Sequence, residues 1–324
     1  MKYAHLGRSG VRVSRICLGT MNFGHWTTEA DSHTIMDTAY DSGVNFWDTA
    51  NVYGGSKGRG TSEEYIGRWF KQNPGKRDEI VLATKVYGQM SEDGINDRKL
   101  SAYNIRQAVD ASLKRLQTDR IDLYQMHHVD RDTPWEEIWQ AMEQLIQEGK
   151  ILYVGTSNFA GWHIVQGNEI AFKRNLYGIV SEQSFYHLGN RAIESDLIPA
   201  CDAYGVGIIP WSPLGGGLLG GVLKKMSEGR RTTDNMLKQI EERRTQLEQY
   251  EALCDEIGER PADVALAWLL ANPAVTAPIA GPRTLDQFKE NMHAVEVELS
   301  EDTLKKLDEI WPGPGGPAPE CYAW

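Results

Sequence analysis

Ile121-Asp122-Leu123-Tyr124-Gln125-Met126-His127 is a short, β-prone run that ends on an ionisable ring. Runs of this length and composition read as buried strands. Two more of the kind precede it. One is Val81-Leu82-Ala83-Thr84-Lys85; the other is Phe46-Trp47-Asp48-Thr49-Ala50, with Tyr53 five residues beyond the aspartate. Working outward, strand-like runs cover residues 15–21, 45–51, 80–86, 121–127, 151–158, 179–186, 206–212 and 274–280. Helical patterns alternate with them, among them 62–71, 104–117, 135–148 and 161–174. In the second of these, Ile105, Val109, Ser112, Leu113 and Leu116 form one stripe facing a core. Eight β/α units predict an α/β chain folded as a closed (β/α)8 TIM barrel rather than an open doubly wound sheet. No Pro/Gly/Ser-rich linker divides the chain, so residues 1–324 read as a single barrel domain. Two segments break the rhythm. Residues 215–244 read as a long loop over one barrel face, and the Pro- and Gly-rich stretch from about residue 312 reads as an extended or mobile tail.

Bulk properties narrow the function. The formal net charge is −11. Affinity for nucleic acid or an anionic membrane needs basic surface, so neither is an expected partner, although a local basic pocket for one phosphate stays open. No run approaches the ~18 apolar residues of a membrane span. Cys17, Cys201, Cys254 and Cys321 are scattered, with no CxxC. Together these features predict a cytoplasmic protein in a reducing compartment.

A parallel barrel gathers the ends of its strands on one face. Asp48, Tyr53, Lys85 and His127 would then converge. A free tyrosine has a pKa near ~10, high for a proton donor at neutral pH. The Lys85 ammonium would favour the phenolate, Asp48 would supply the counter-charge, and His127 would orient a substrate oxygen. Such a set can polarise a carbonyl and protonate it as hydride arrives at carbon. His128 follows His127 and should face the other way. No third ligand sits at a suitable spacing, so no metal is expected. His163, early in a helix, reads as packing or capping.

No G-x-G-x-x-G lies between an early strand and a helix, and the Gly55–Ser62 stretch lacks the lysine that a phosphate loop requires. The sequence does resemble another class. Asp48-Thr49-Ala50-x-x-Tyr53-Gly54, Ala83-Thr84-Lys85, Leu123-Tyr124-Gln125-Met126-His127 and the opening Leu18-Gly19-Thr20-Met21 are similar to the tetrad and flanking motifs of the aldo-keto reductases. The likeness runs from about residue 3 to about residue 310. It implies a (β/α)8 barrel that reduces carbonyls with NADPH/NADP+, without metal or flavin, and with Asp48, Tyr53, Lys85 and His127 as catalytic residues.

The resemblance also implies a cofactor site. Gly19, Thr20, Met21 and Asp48 belong to it in the first half. Ser157, Asn158 and Gln183 would hold the nicotinamide carboxamide, and Trp211 would stack on its ring. Ser212, Pro213, Leu214, Gly215 and Gly217 would fold over the cofactor, glycine allowing close backbone approach; Lys224 or Lys225 could join them. Gly281, Arg283, Gln287, Glu290 and Asn291 follow the last strand and open a helix, whose amides and guanidinium suit phosphate. The family uses that face for adenine and the 2′-phosphate. Phe23, Trp26, Tyr87, His128 and Tyr186 are candidate walls of a substrate pocket for a small-molecule carbonyl, with His187 nearby and Trp324 if the tail folds back. The stretches 127–131, 134–141 and 160–164 are similar to reductases of deoxysugar biosynthesis, which keeps keto- or enoyl-reduction of a nucleotide-linked hexose among the readings. A more distant likeness to potassium-channel β subunits adds a redox-sensing accessory role, against which His127 argues, since that branch departs from histidine there. The family includes monomers, dimers and larger rings, and a homo-oligomer is left open.

Overall fold

The computed structural model describes residues 1–224 and 233–323. Two short strands, β1 (Tyr3–His5) and β2 (Arg12–Ser14), pair antiparallel ahead of everything else. Eight parallel strands follow: β3 (Cys17–Gly19), β4 (Phe46–Asp48), β5 (Val81–Val86), β6 (Ile121–Met126), β7 (Ile151–Ser157), β8 (Ile179–Phe185), β9 (Gly207–Trp211) and β10 (Ile279–Ala280). They pair in the order β10-β3-β4-β5-β6-β7-β8-β9. The seam between β9 and β10 is joined just before β10, where Ile208 N–H donates to Ala274 O (3.0 Å) and Thr276 N–H donates to Ile208 O (2.8 Å). The eight expected strands are all present, and the sheet is the expected (β/α)8 barrel. The last is shorter than expected, because Pro278 has no N–H to give a ladder.

Each crossover carries a helix: α1 (Glu29–Asp41), α2 (Thr61–Gln72), α3 (Ala102–Leu116), α4 (Trp135–Gln147), α5 (Gly161–Lys173) and α6 (Leu197–Tyr204). Ser101 caps α3 by accepting from Asn104 N–H at 3.2 Å, and Ile105, Val109, Ser112 and Leu116 turn inward as the stripe predicts; Leu113 is only half-buried. Beyond β9 come α7 (Asp234–Glu242), α8 (Arg244–Ile257) and α9 (Pro261–Ala271), and after β10 come α10 (Leu285–Met292), α11 (Glu301–Ile310) and α12 (Glu320–Ala323). The loop expected over residues 215–244 therefore holds a helix in its second half. Met236 and Ile240, four apart, give α7 a buried edge within an otherwise polar segment.

Two apolar layers hold the barrel. Inside it, Cys17, Phe46, Val81, Ala83, Leu123, Val180, Ile209, Ala277 and Ile279 pack together, and Leu6 and Val13 of the hairpin join them from one end. The hairpin turn needs Gly7: its φ is +53°, and a Cβ there would lie 2.2 Å from Val180 O. The larger layer lies between strands and helices and includes Trp47, Trp69, Trp139 and Tyr124. The tail is not simply extended. Trp311 is buried, Arg191 Nη1 donates to its carbonyl at 2.9 Å, and Ala318 N–H donates to Ser195 O at 2.6 Å, placing the chain end beside the loop after β8.

Candidate active site

The site is built where β4, β5, β6 and β8 end. Asp48 closes β4 and Lys85 is the fifth residue of β5. Lys85 Nζ donates to Asp48 Oδ1 at 2.6 Å, to Thr49 O at 2.9 Å and to Tyr53 Oη at 3.2 Å. The lysine is fully buried and the aspartate nearly so. An ammonium in such a place survives only with a matched anion and satisfied protons, both of which are provided. Burial pulls the Lys85 pKa down, but Asp48 and Tyr53 outweigh it, and the net direction is upward. The cation is secure.

Tyr53 is fixed by its backbone. Its N–H donates to Ala50 O at 3.1 Å, and its carbonyl accepts from Gly60 N–H at 3.1 Å and Ser62 N–H at 3.2 Å. Gly54 next to it has φ +151°, where a Cβ would meet Gly58 O at 1.9 Å, so the turn depends on glycine. Beneath it, Thr20, Thr49 and Ser62 share hydroxyl bonds: Ser62 Oγ donates to Thr20 Oγ1 at 2.8 Å, and Thr20 Oγ1 to Asp48 O at 3.0 Å. Outside β5, the fully buried Glu63 accepts from Thr84 Oγ1 at 2.6 Å and Arg115 Nε at 2.7 Å. Thr84 is thereby held on the helix side, and alternation turns Lys85 into the barrel.

The His127 ring stands edge-on to Tyr53, with centroids 5.9 Å apart. Burial, then the charge of Lys85, then His128, drive its pKa down to about 3. It is a neutral imidazole at neutral pH, able to donate one hydrogen bond without carrying charge. Burial also raises the Tyr53 pKa; Lys85 pulls against that, and Asp48 adds to it. The net direction differs from the expected lowering, because desolvation of a phenolate outweighs one shared ammonium. A phenol held protonated is the form an acid must have before it gives up its proton.

The second Asp48 oxygen reveals a residue that the motif reading passed over. Oδ2 accepts from Gln125 Nε2 and from Gln183 Nε2, both at 2.9 Å, and Gln183 Nε2 also reaches Gln125 Oε1 at 3.2 Å. Gln125 lies two residues before His127, so strand alternation alone puts both on one face. That parity was the available signal.

The remaining expected residues divide. Ser157 Oγ donates to Gln183 O at 2.9 Å, Asn158 Nδ2 donates to Ser157 Oγ at 2.9 Å and to His127 O at 3.3 Å, and Trp211 Nε1 donates to Asn158 Oδ1 at 3.1 Å. These groups form one connected rim. Trp211 is backed by Phe185, stacked at 4.6 Å. Ser212 has φ +50°, and Gly215, Gly216 and Gly217 all have positive φ in a tight turn after Pro213 and Leu214. Gly19 ends β3, Thr20 is in the hydroxyl network, and Met21 is half-exposed. Gly281 accepts from Asn22 Nδ2 through its carbonyl at 2.8 Å. Thr284 caps α10; Arg283 N–H donates to Gln287 Oε1 at 2.9 Å, and the guanidinium lies over Trp26 at 5.0 Å. Gln287, Glu290 and Asn291 all lie on α10, with Glu290 Oε2 3.6 Å from Arg260 Nη1. Tyr87 and His128 meet at 5.4 Å, His128 being exposed where His127 is not.

Two residues expected to line the pocket do not. Phe23 is fully buried in the strand–helix core. Tyr186 is as well: its hydroxyl donates to Glu194 at 2.6 Å and accepts from Asn272 at 3.0 Å, which satisfies it away from the cleft. Lys224 is turned to Asp255 at 2.7 Å, and Lys225 and Trp324 lie outside the described residues. His163 accepts from Ala160 N–H at 3.1 Å, a capping role. His187 lines a separate cavity.

A sequence model described as "Aldo/keto reductase family" matches residues 15–312. The chain belongs to the aldo/keto reductase family. Among curated proteins, it is similar to the uncharacterized oxidoreductase YrpG of Bacillus subtilis (strain 168), 53% identical with all of both chains covered. It is 34% identical to the versiconal hemiacetal acetate reductase of Aspergillus parasiticus, over 95% of this chain and 96% of that one. It is 37% identical to a putative voltage-gated potassium channel subunit beta of Schizosaccharomyces pombe, over 95% and 92%. An aldo/keto reductase with oxidoreductase relatives is itself an oxidoreductase, and carbonyl reduction is the family's general chemistry. No helix among the described residues is long and apolar enough to cross a membrane.

Proposed function

We propose that this aldo/keto reductase reduces an aldehyde, ketone or keto-sugar to an alcohol with NADPH, using Tyr53 as the proton donor. The observation that carries the reading is the Lys85 ammonium, shared between Asp48 Oδ1 and Tyr53 Oη inside the barrel. The residues present fit a dinucleotide. Gln183 spends Nε2 on Asp48 and Gln125, leaving Oε1 as an acceptor for a carboxamide N–H. Trp211 offers a flat ring, the Gly215–Gly217 turn has no side chains to obstruct a phosphate, and Arg283 stands at the start of α10 as a donor for a 2′-phosphate. When bound, the reduced nicotinamide supplies hydride.

The protein's own groups do the rest. His127, neutral, donates to the substrate oxygen and orients it. Tyr53 gives that oxygen its proton. The negative charge left on the phenolate is stabilised by Lys85 at the moment it forms. Asp48 keeps Lys85 charged and in place, and the two glutamines hold Asp48. The similarity to channel subunits supports a second reading, an accessory protein that forms a stable complex with a membrane partner. The test is a panel of aldehydes, ketones and keto-sugars with purified protein, followed at the absorbance band of NADPH. Turnover with any of them supports the reductase; no turnover across the panel, with a stable membrane complex, favours the accessory role.

A further inference from the structure

Beside the Gly215–Gly217 turn lies a cavity of about 400 Å³, walled by Phe185, His187, Asn190, Arg191, Gln239 and Arg243. It draws on three places: the loop after β8, the turn after β9, and α7 with its C-cap. No carboxylate lines it among the described residues, in a chain of formal net charge −11. Arg191 is already matched by Glu194 at 2.8 Å and by Asp308. Arg243 is not. Its Nη1 donates to Gly189 O at 3.0 Å, and among the described residues no carboxylate comes within ion-pair distance.

His187 is 3% exposed. Its Nδ1 accepts from Gly189 N–H at 3.1 Å, so the proton of the neutral ring is on Nε2. Burial, with Arg243 adding to it, keeps the ring neutral, its pKa lowered to about 4. Nε2–H finds no acceptor among the described residues, and Gly215 leaves it uncovered, since a Cβ there would approach it to 3.4 Å. That N–H is not sealed off: it opens to the cavity, where a ligand acceptor would replace solvent. Here the donor stands at a cavity that also holds an unmatched guanidinium and the two carboxamides of Asn190 and Gln239.

We propose that this cavity is a second ligand site, for a small molecule bearing a carboxylate or phosphate that lies between the Arg243 guanidinium and the His187 Nε2–H. A charge-assisted bond to Arg243 supplies affinity and the histidine supplies direction. The site is distinct from the tetrad: contacts between them pass through Phe185, Trp211 and Asn158.

The test is isothermal titration of the full protein with inorganic phosphate and with citrate, glycerol serving as the neutral control, each with and without saturating NADP+. Saturable one-to-one binding of at least one anion is expected. It should persist with NADP+ and be weaker by roughly tenfold or more in both Arg243→Ala and Gln239→Glu. The two titrants separate phosphate from carboxylate preference. No saturable binding of either anion overturns the proposal. So does competition with NADP+, which would place the anion in a dinucleotide phosphate site, or unchanged affinity in the variants. Gln239 is half-buried on α7, so Gln239→Glu places a like charge at the wall without removing a packed group, and it decides the matter if Arg243→Ala does not fold.

Discussion

At the scale of single residues, the proposed reduction depends on what Lys85 does to Tyr53. Burial keeps the phenol protonated, and Lys85 opposes burial. Removing the ammonium leaves burial and Asp48 acting alone, so the phenol pKa rises further. Reduction requires a protonated phenol and is lost as pH rises through its pKa. In Lys85→Met the high-pH limb of the rate profile should therefore move to higher pH, while the plateau falls because the phenolate is no longer stabilised. A profile that drops without moving would leave Lys85 a purely positional part. Gln125 carries the second residue-scale prediction. Gln125→Leu leaves Asp48 Oδ2 with one amide instead of two. The expected result is a kcat lower by roughly tenfold with the melting temperature little changed, since one hydrogen bond to a charged group is lost and leucine fills the volume; an unchanged kcat would show that Gln183 alone suffices. Asp48, Tyr53, Lys85 and His127 were legible because ionisable groups at the ends of apolar strands are conspicuous. Gln125, a neutral residue inside a strand, was not, although it shares the parity of His127.

At the scale of elements, β8 shows how one strand serves two layers. Gln183 faces the site, while its neighbour Glu182 is buried with Oε1 accepting from Phe159 N–H at 3.1 Å and Ser184 Oγ at 2.9 Å, and Oε2 unpartnered. Burial raises the Glu182 pKa from its ordinary 4.5 to about 7, the hydrogen bonds opposing. The folded chain thus keeps a proton that the unfolded chain releases between those values, so this group's penalty is absent at low pH, grows as pH rises, and is complete above about 7. Glu182→Gln should melt at a higher temperature than the parent, with a gap that widens from about pH 5 to about pH 8. A gap independent of pH would mean that Glu182 does not titrate in the fold. Helix α10 offers a different prediction. Arg283 stands one residue before its cap, where a guanidinium and free amides suit a phosphate. Arg283→Ala should raise KM for NADPH far more than KM for NADH; equal losses would assign Arg283 to the adenine pocket or the helix. Helices α2 to α5, each longer than ten residues with an apolar inner face, were legible. The β1–β2 hairpin was not, because three-residue strands carry no measurable period, and α7 was hidden by a polar surface with only Met236 and Ile240 to mark its inner edge.

At the scale of the whole molecule, the barrel converts order along the chain into convergence in space. Strands β4, β5, β6 and β8 contribute one or two polar groups each, and parallel pairing in register brings their ends together. Eight repeats made that closure legible. Which aromatic side faced the cleft was not, since Phe23 and Tyr186 turn into the helix layer by local geometry that composition does not encode. The role of Tyr53 is decided by the single-turnover rate of carbonyl reduction by Tyr53→Phe, with NADPH prebound and a substrate turned over by the parent protein. The substitution removes only a hydroxyl, so folding and cofactor affinity should persist while the rate falls by at least ~10²-fold, the loss typical of a missing general acid. A rate close to that of the parent, with cofactor bound as tightly, would contradict the assignment of Tyr53 as the proton donor.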